Sequence, residues 1–262
     1  MKAFVPWIGG KTRLAKTIVR MLPEDRTVFI EVFGGGAKVL FKKEQKRGEI
    51  EVYNDVHEGL VNLFRVVRNR LDEFKRRQYF LLSSRSEYKA YQERYKTGKF
   101  KDDIEKAIAF YYLIKTSFGA GITTGWAFSR KRQNKYPACL DDLEGFRERL
   151  VRVYIESQSF EDLIPKWDSE GAVFYCDPPY FMLTEMTGSY YKHDLTVEKH
   201  ELLRDVLGGI KGRFILSYDN HPVIRRLYRK FRVITTEPIH YSLNNRPDAP
   251  GIYKTELLIK NF

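Results

Sequence analysis

At 262 residues the chain is long enough for one large α/β domain with a smaller insert and a substantial buried core. A formal charge of +12 and a pI near 9.5 point to a polyanionic partner, nucleic acid first and an anionic membrane surface second. The opening MKAFVPWIGGK lacks the apolar region of a signal peptide, and the run Ile108 to Ile114 is too short to span a bilayer. A cytoplasmic protein is expected.

In chain order, Pro6-Trp7-Ile8-Gly9-Gly10-Lys11-Thr12 precedes a helical pattern from about Arg13 to Met21. Gly-Lys-Thr ends like a Walker phosphate loop, but Val5 stands where that motif needs its first glycine and no adequate strand precedes it, so an NTPase is rejected. A glycine turn before a helix can still hold an anionic group, while the plain alternative for Lys11 is an exposed charge. Val28 to Val32 reads as a strand that runs into Phe33-Gly34-Gly35-Gly36-Ala37 and a helix from Lys38 to about Arg47. Glycines at such a turn admit a ligand close to the backbone, although Val39 breaks the dinucleotide fingerprint. Ile50 to Tyr53 is the next strand. It ends at Asn54-Asp55, where an acid is placed either to accept from ribose hydroxyls or to cap a helix beginning near Val56.

Residues 68–150 differ in texture, with 19 Lys and Arg against 11 Asp and Glu. Helices are predicted over Leu71 to Leu82, Ser86 to Tyr95 and Ile104 to Ser117. Glycines, hydroxyls and Trp126 then lead to Ser129-Arg130-Lys131-Arg132-Gln133-Asn134-Lys135-Tyr136. That mixture suits a loop or hairpin on DNA, with Arg130, Lys131, Arg132 and Lys135 on phosphates and Asn134 available for base edges. A solvated basic loop is the plain alternative. Val151 to Ile155 resumes the sheet, and the turn Gln158 to Asp162 follows, in which Asp162 is a candidate helix cap.

Ala172-Val173-Phe174-Tyr175-Cys176 is a short apolar run fit for a buried strand, and it stops at Asp177-Pro178-Pro179-Tyr180. Open α/β sheets bind ligands at the carboxyl ends of their strands, so these four residues would line a pocket. They suit attack by an amino group conjugated to an aromatic ring. Its lone pair is delocalised; two acceptors on its N–H bonds, the Asp177 carboxylate and the Pro178 carbonyl, favour the pyramidal nitrogen that frees it. Pro178 and Pro179 set the turn, and Tyr180 offers a face on which an extruded base can stack. Cys176 is read as core, on the opposite side of the pleat from Asp177, and Cys139 and Cys176 as reduced thiols without metal-ligand spacing.

A polar, tyrosine-rich stretch from Phe181 to His193 is placed to close over a base. Helices are predicted at Val197 to Leu207, capped by Thr196, and at His221 to Arg229, and a strand at Arg213 to Tyr218. Phe231 to Thr236 and Thr255 to Lys260 would form a terminal antiparallel pair, joined by the turn 246–251.

The glycine cluster, the acid after the next strand and Asp-Pro-Pro-Tyr, in that order around a basic insert, resemble the Dam-type (alpha group) DNA adenine-N6 methyltransferases over nearly the whole chain except the insert. Phe33 and Gly35 match that family's Phe-x-Gly-x-Gly motif, with Ala37 in place of its last glycine. The resemblance implies a seven-stranded doubly wound α/β sheet with its last strand antiparallel. The catalytic domain would comprise residues 1–67 and 151–262, and a mainly helical target-recognition insert 68–150. It implies methyl transfer from S-adenosylmethionine to adenine N6 in double-stranded DNA by base flipping. Trp7, Lys11, Phe33, Gly34, Gly35, Gly36, Asp55, Phe160 and Asp177 would contact the cofactor, and Asp177, Pro178, Pro179 and Tyr180 would carry catalysis. No metal is required, and a monomer is expected. Cytosine-N4 or RNA methylation is the rival within the enzyme class, and a non-catalytic DNA-binding module the rival outside it.

Overall fold

The structure is a computed structural model that describes residues 4–7, 11, 14–117, 119, 121–127, 136, 138–180, 195–241 and 252–262. The expectations on Gly9-Gly10, the stretch Phe181 to His193 and the turn 246–251 lie outside them.

A short helix α1 (Ala15–Met21) leads into strand β1 (Val28–Glu31), helix α2 (Lys38–Lys42) and strand β2 (Ile50–Asn54). Helices α3 (Glu58–Asn69), α4 (Leu71–Gln78), α5 (Arg85–Thr97) and α6 (Asp103–Thr116) follow, then a 3-10 turn (Ala138–Leu143) and α7 (Glu144–Leu150). Strand β3 (Val153–Glu156), helix α8 (Phe160–Trp167), strand β4 (Ala172–Cys176) and helix α9 (Val197–Gly208) come next. Strand β5 (Arg213–Asp219), helix α10 (Pro222–Leu227) and strands β6 (Arg232–Thr235), β7 (Ile239–Tyr241), β8 (Ile252–Lys254) and β9 (Glu256–Lys260) complete the chain.

Seven strands form one sheet in the order β3-β2-β1-β4-β5-β9-β6, and β7 pairs with β8 as a separate hairpin. Neighbours from β3 to β5 are parallel; β9 runs antiparallel between β5 and β6. Every residue of β4 is buried, as a central parallel strand covered on both faces requires. The doubly wound sheet with an antiparallel final strand expected from the sequence is therefore present. The hairpin was not anticipated: its strands are three residues each, too short for an alternating pattern to stand out.

The order reverses between β1 and β4, and in open α/β sheets the carboxyl ends at such a switch point are where a ligand crevice forms. Both the glycine turn after β1 and the acid after β4 leave from these ends.

Two buried clusters cover the faces of the sheet. One runs from Phe29, Tyr53 and Tyr175 through α3 to α6 and α7 without a break, so the helices of residues 68–150 share the core of the sheet. Helix α3 turns Leu60, Leu63, Phe64 and Val67 inward at helical spacing, and the Phe64 ring stacks on Tyr53 at 4.2 Å between centroids. Helix α6 is buried nearly all round, which places it inside the helical layer. The second cluster joins Ile30, Val52, Phe174 and Cys176 to α8, α9 and Tyr228. Cys176 is wholly buried there with its thiol pushed up by burial, the core role expected of it.

Local chemistry fixes most helix starts. Ser84, Asp102, Ser159 and Thr196 each accept a main-chain N–H three residues on, as N-caps do. Helix α2 is shorter than its apolar pattern predicts, ending at Lys42. Its buried neighbour Lys43 leaves the helical path to pair with Glu49 and with Glu51 at 2.6 Å.

Candidate active site

The glycine turn is tightly packed, and a side chain would meet a different obstacle at each position, severe at Gly34 and Gly35 and milder at Gly36. A Cβ at Gly34 would stand 2.2 Å from Tyr53 Cε2 and 2.8 Å from the Asn54 carbonyl oxygen. Gly35 has φ of 48°, and a Cβ there would stand 2.7 Å from Trp7 Cδ1. At Gly36 the nearest atom would be the Val5 carbonyl oxygen, at 3.2 Å. Trp7 thus lies against the turn, with its far side against His57 and Phe110. Ala37 is the one non-glycine with positive φ among the described residues, at 52°. The replacement of the motif's last glycine is accommodated in space but holds the backbone in the left-handed region, which costs about 1–2 kcal/mol for an L-residue.

Asp55 closes this turn from the neighbouring strand. Its Oδ2 accepts the Gly35 N–H at 2.7 Å and its Oδ1 accepts the His57 N–H at 2.7 Å. The helix that follows is capped by His57, whose Nδ1 accepts from Leu60 N, so capping is not the task of Asp55. A carboxylate oxygen can accept more than one hydrogen bond, and Asp55 is only partly buried, so the same group can meet a ligand diol. Asn54 beside it is buried and holds three strand ends together. Its Nδ2 donates to the carbonyls of Val32 at 2.8 Å and Gln158 at 3.0 Å, and its Oδ1 accepts from Gln158 N at 2.9 Å. Phe33 and Phe160 meet at 5.8 Å between ring centroids, joining the first and third turns of this wall. Ser159, not Asp162, caps α8, and its hydroxyl donates to Asp162 Oδ2 at 2.7 Å.

On the other side of the crevice, Asp177 retains 18% side-chain exposure at the mouth of buried β4, while Pro178 is buried behind it. Asp177 Oδ1 accepts from Ser217 Oγ at 2.8 Å and lies 3.2 Å from Lys11 Nζ. Tyr175 Oη lies 3.1 Å from the Ser217 hydroxyl, so β4 and β5 both brace the acid. Lys11 Nζ also donates to the Tyr180 hydroxyl, which donates in turn to Glu256 Oε2 at 2.8 Å. Burial pushes the Asp177 carboxyl up, and Lys11 and Ser217 pull it back; Glu256 is raised by burial in the same way. Behind Tyr180 stands Tyr218, at 6.1 Å between centroids, itself bonded to His200.

A profile of the D12 class N6 adenine-specific DNA methyltransferases matches residues 7–240. The chain belongs to this family. Among its relatives, the DNA adenine methylase of Escherichia coli K12 is 25% identical over 245 residues, covering 88% of this chain and 86% of the relative. The type II methyltransferase M.CviBI of Paramecium bursaria Chlorella virus NC1A is 28% identical over the full length of both. The type II methyltransferase M.MjaIII of Methanocaldococcus jannaschii is 26% identical, covering 100% of this chain and 99% of the relative.

The protein is accordingly an adenine-specific DNA methyltransferase that acts on the N6 amine, built on the methyltransferase sheet. Within this D12-class chain the structure gathers Trp7, Gly34, Gly35, Gly36 and Asp55 around one turn and Phe33 with Phe160 beside it. Lys11 is brought to Asp177 and Tyr180 on the acid side of the crevice. Arg130, Lys131, Arg132, Asn134 and Lys135 lie outside the described residues. Their flanks are anchored, however: Trp126 forms an antiparallel bridge with Ser117, and the buried Tyr136 donates its hydroxyl to Gln78. Among the described residues no cluster of metal-ligating side chains occurs and no helix is long and apolar enough to cross a membrane.

Four site residues escaped the sequence analysis: Glu31, Asn54, Ser217 and Glu256. Glu31 ends β1 and accepts the Leu40 N–H at 2.9 Å and the Val39 N–H at 3.3 Å, anchoring α2 under the glycine turn. Burial raises its carboxyl to about 8 against the pull of those two N–H groups. An acid closing an apolar strand immediately before the glycines was the available signal. Glu256 offered a similar one, as a charge opening the apolar run Leu257-Leu258-Ile259, whereas Ser217 inside a strand offered none.

Proposed function

We propose that this enzyme takes its methyl group from S-adenosylmethionine and delivers it to an adenine everted from duplex DNA. The observation that carries the proposal is the adjacency of two strand ends: the glycine turn held by Asp55 follows β1, and Asp177 with Tyr180 follows its parallel neighbour β4, at the point where the strand order reverses. The residues suit the donor. Asp55 would receive the ribose hydroxyls, Phe33 and Phe160 would flank the adenine ring, and the turn Gly34 to Gly36, packed against Trp7, would border the amino acid moiety. When bound, the sulfonium supplies an activated methyl carbon, so neither a metal nor a protein nucleophile is needed.

The chain's own work is alignment and electrostatics. Asp177 and the Pro178 carbonyl accept the two N6–H bonds, which favours the pyramidal amine and directs its lone pair toward the methyl carbon. Pro179 stiffens the turn and Tyr180 stacks on the everted base. Tyr175 and Ser217 hold Asp177 in place from beneath. Residues 68–150 would form the target-recognition part, with Arg130, Lys131, Arg132 and Lys135 on phosphates and Asn134 at base edges. We assign the protein to a DNA-containing compartment and to action as a monomer.

The test is transfer of tritium from S-adenosylmethionine to DNA from a methylation-free host, followed by nucleoside mass spectrometry. Label in N6-methyladenine that is lost in Asp177→Ala, with DNA binding intact, is the expected result. Label retained by that variant, or found in N4-methylcytosine, overturns the assignment.

A further inference from the structure

Lys11 occupies the acid on which the proposed reaction depends. Its Nζ stands 3.2 Å from Asp177 Oδ1 and 3.4 Å from Glu256 Oε2, and the two carboxylates come from opposite directions, one after β4 and one at the start of β9. The Lys11 and Glu256 side chains are 6% and 3% exposed, so water does little to screen them. An adenine amine is neutral and a weaker donor than an ammonium group. It therefore competes poorly for Asp177 Oδ1, where Lys11 and Ser217 already lie, unless the ammonium shifts to another anion, because a buried cation left unpaired costs several kcal/mol. Glu256 is the anion already within reach.

We propose that Glu256 is a positioning residue that receives Lys11 when the target amine arrives at Asp177. In the structure the cation is shared between the two carboxylates; with the base in place it pairs with Glu256 and Tyr180, and Asp177 is released to accept the N6–H. No covalent bond is made or broken by the handover, and the net charge of the cluster does not change. Tyr180 takes part in the same step. Its hydroxyl accepts from Lys11 and donates to Glu256, so the ring on which the base stacks is held in orientation by the pair that forms. The inference rests on the role given above to Asp177.

A merely structural role, satisfying the Tyr180 hydroxyl, would be filled equally by glutamine. The handover requires the charge. Single-turnover methyl transfer from tritiated S-adenosylmethionine to DNA of a methylation-free host is measured for the full-length wild type, E256Q, K11M and K11M/E256Q, with DNA affinity and donor affinity measured separately. E256Q is expected to slow transfer about tenfold or more while both affinities stay within about twofold, since Lys11 then has only Asp177 as a charged partner. The double variant is expected to be severalfold faster than E256Q, because no ammonium remains to block the acid. E256D, which keeps the charge, is expected to retain most of the rate. Transfer by E256Q at the wild-type rate overturns the handover, as does a double variant no faster than E256Q. Should E256Q fail to fold, E256M carries the same cycle. D177N separates the two levels: full transfer in D177N removes the reading beneath the handover, whereas loss in D177N without rescue in K11M/E256Q removes the handover alone.

Discussion

The main-chain N–H of Gly35 donates to Asp55 Oδ2 at 2.7 Å, a bond across 20 residues that ties the glycine turn to the end of the adjacent strand. Asp55 therefore shapes the backbone of the cofactor wall as well as offering a carboxylate to it. Asp55→Asn leaves one good acceptor where two are used, by Gly35 and His57. Hydrogen bonds to charged groups contribute about 1.5–3 kcal/mol. Calorimetry with S-adenosylmethionine should then show affinity lower by roughly 10- to 100-fold, and an unchanged isotherm would remove Asp55 from the donor site.

Gly35 and Gly48 make a matched pair. Both have positive φ, at 48° and 82°, but a Cβ at Gly35 meets Trp7 at 2.7 Å and one at Gly48 meets nothing within 4 Å. Gly48→Ala should lower stability by about 1–2 kcal/mol through the backbone alone and leave donor binding intact. Gly35→Ala should add displacement of Trp7, seen as a shift in tryptophan emission, together with weaker donor binding. Equal behaviour of the two variants in binding would argue against Trp7 as part of that site.

Asp177→Asn keeps one acceptor oxygen but loses the charge that answers positive charge developing on the attacking amine. A drop of about 10²–10³ in single-turnover rate is expected, the usual consequence of removing one preorganised partner of the transition state. Filter binding should find DNA affinity close to that of the wild type.

Glu31 introduces a pH dependence of folding. Burial raises its carboxyl from the ordinary 4.5 to about 8, so the folded state holds this proton more tightly than the unfolded chain. Its contribution is fully present below about pH 4.5 and declines as pH rises through about 8. Glu31→Gln removes the titration and keeps one acceptor oxygen where the Val39 and Leu40 N–H groups use two, a cost that does not vary with pH. In urea unfolding the variant should gain on the wild type steadily between pH 5 and 8, and a constant difference across that range would show that Glu31 is ionised throughout.

Much of the site could be read from consecutive residues. The run Ala172 to Cys176 has the composition of a doubly covered strand, and it is wholly buried. Thr196 caps its helix, and the glycines after β1 form the tight turn their sequence requires. Readings that went astray concerned neighbouring candidates for one local task. His57 rather than Asp55 caps α3, and Ser159 rather than Asp162 caps α8.

The sequence by itself determined the period of each element, its main caps, the glycines of the turn and the Asp-Pro-Pro-Tyr end of β4. These follow from torsional preferences and burial patterns that act over a few residues. Only the tertiary structure decided which side chains meet Asp177. Ser217 reaches it because β5 lies beside β4, and Glu256 because β9 enters antiparallel beside β5, pairing with it at Asp219. Lys11 arrives from a segment 166 residues before the acid it pairs with. Such contacts are fixed by the order and direction of strands in the sheet, which no local pattern encodes.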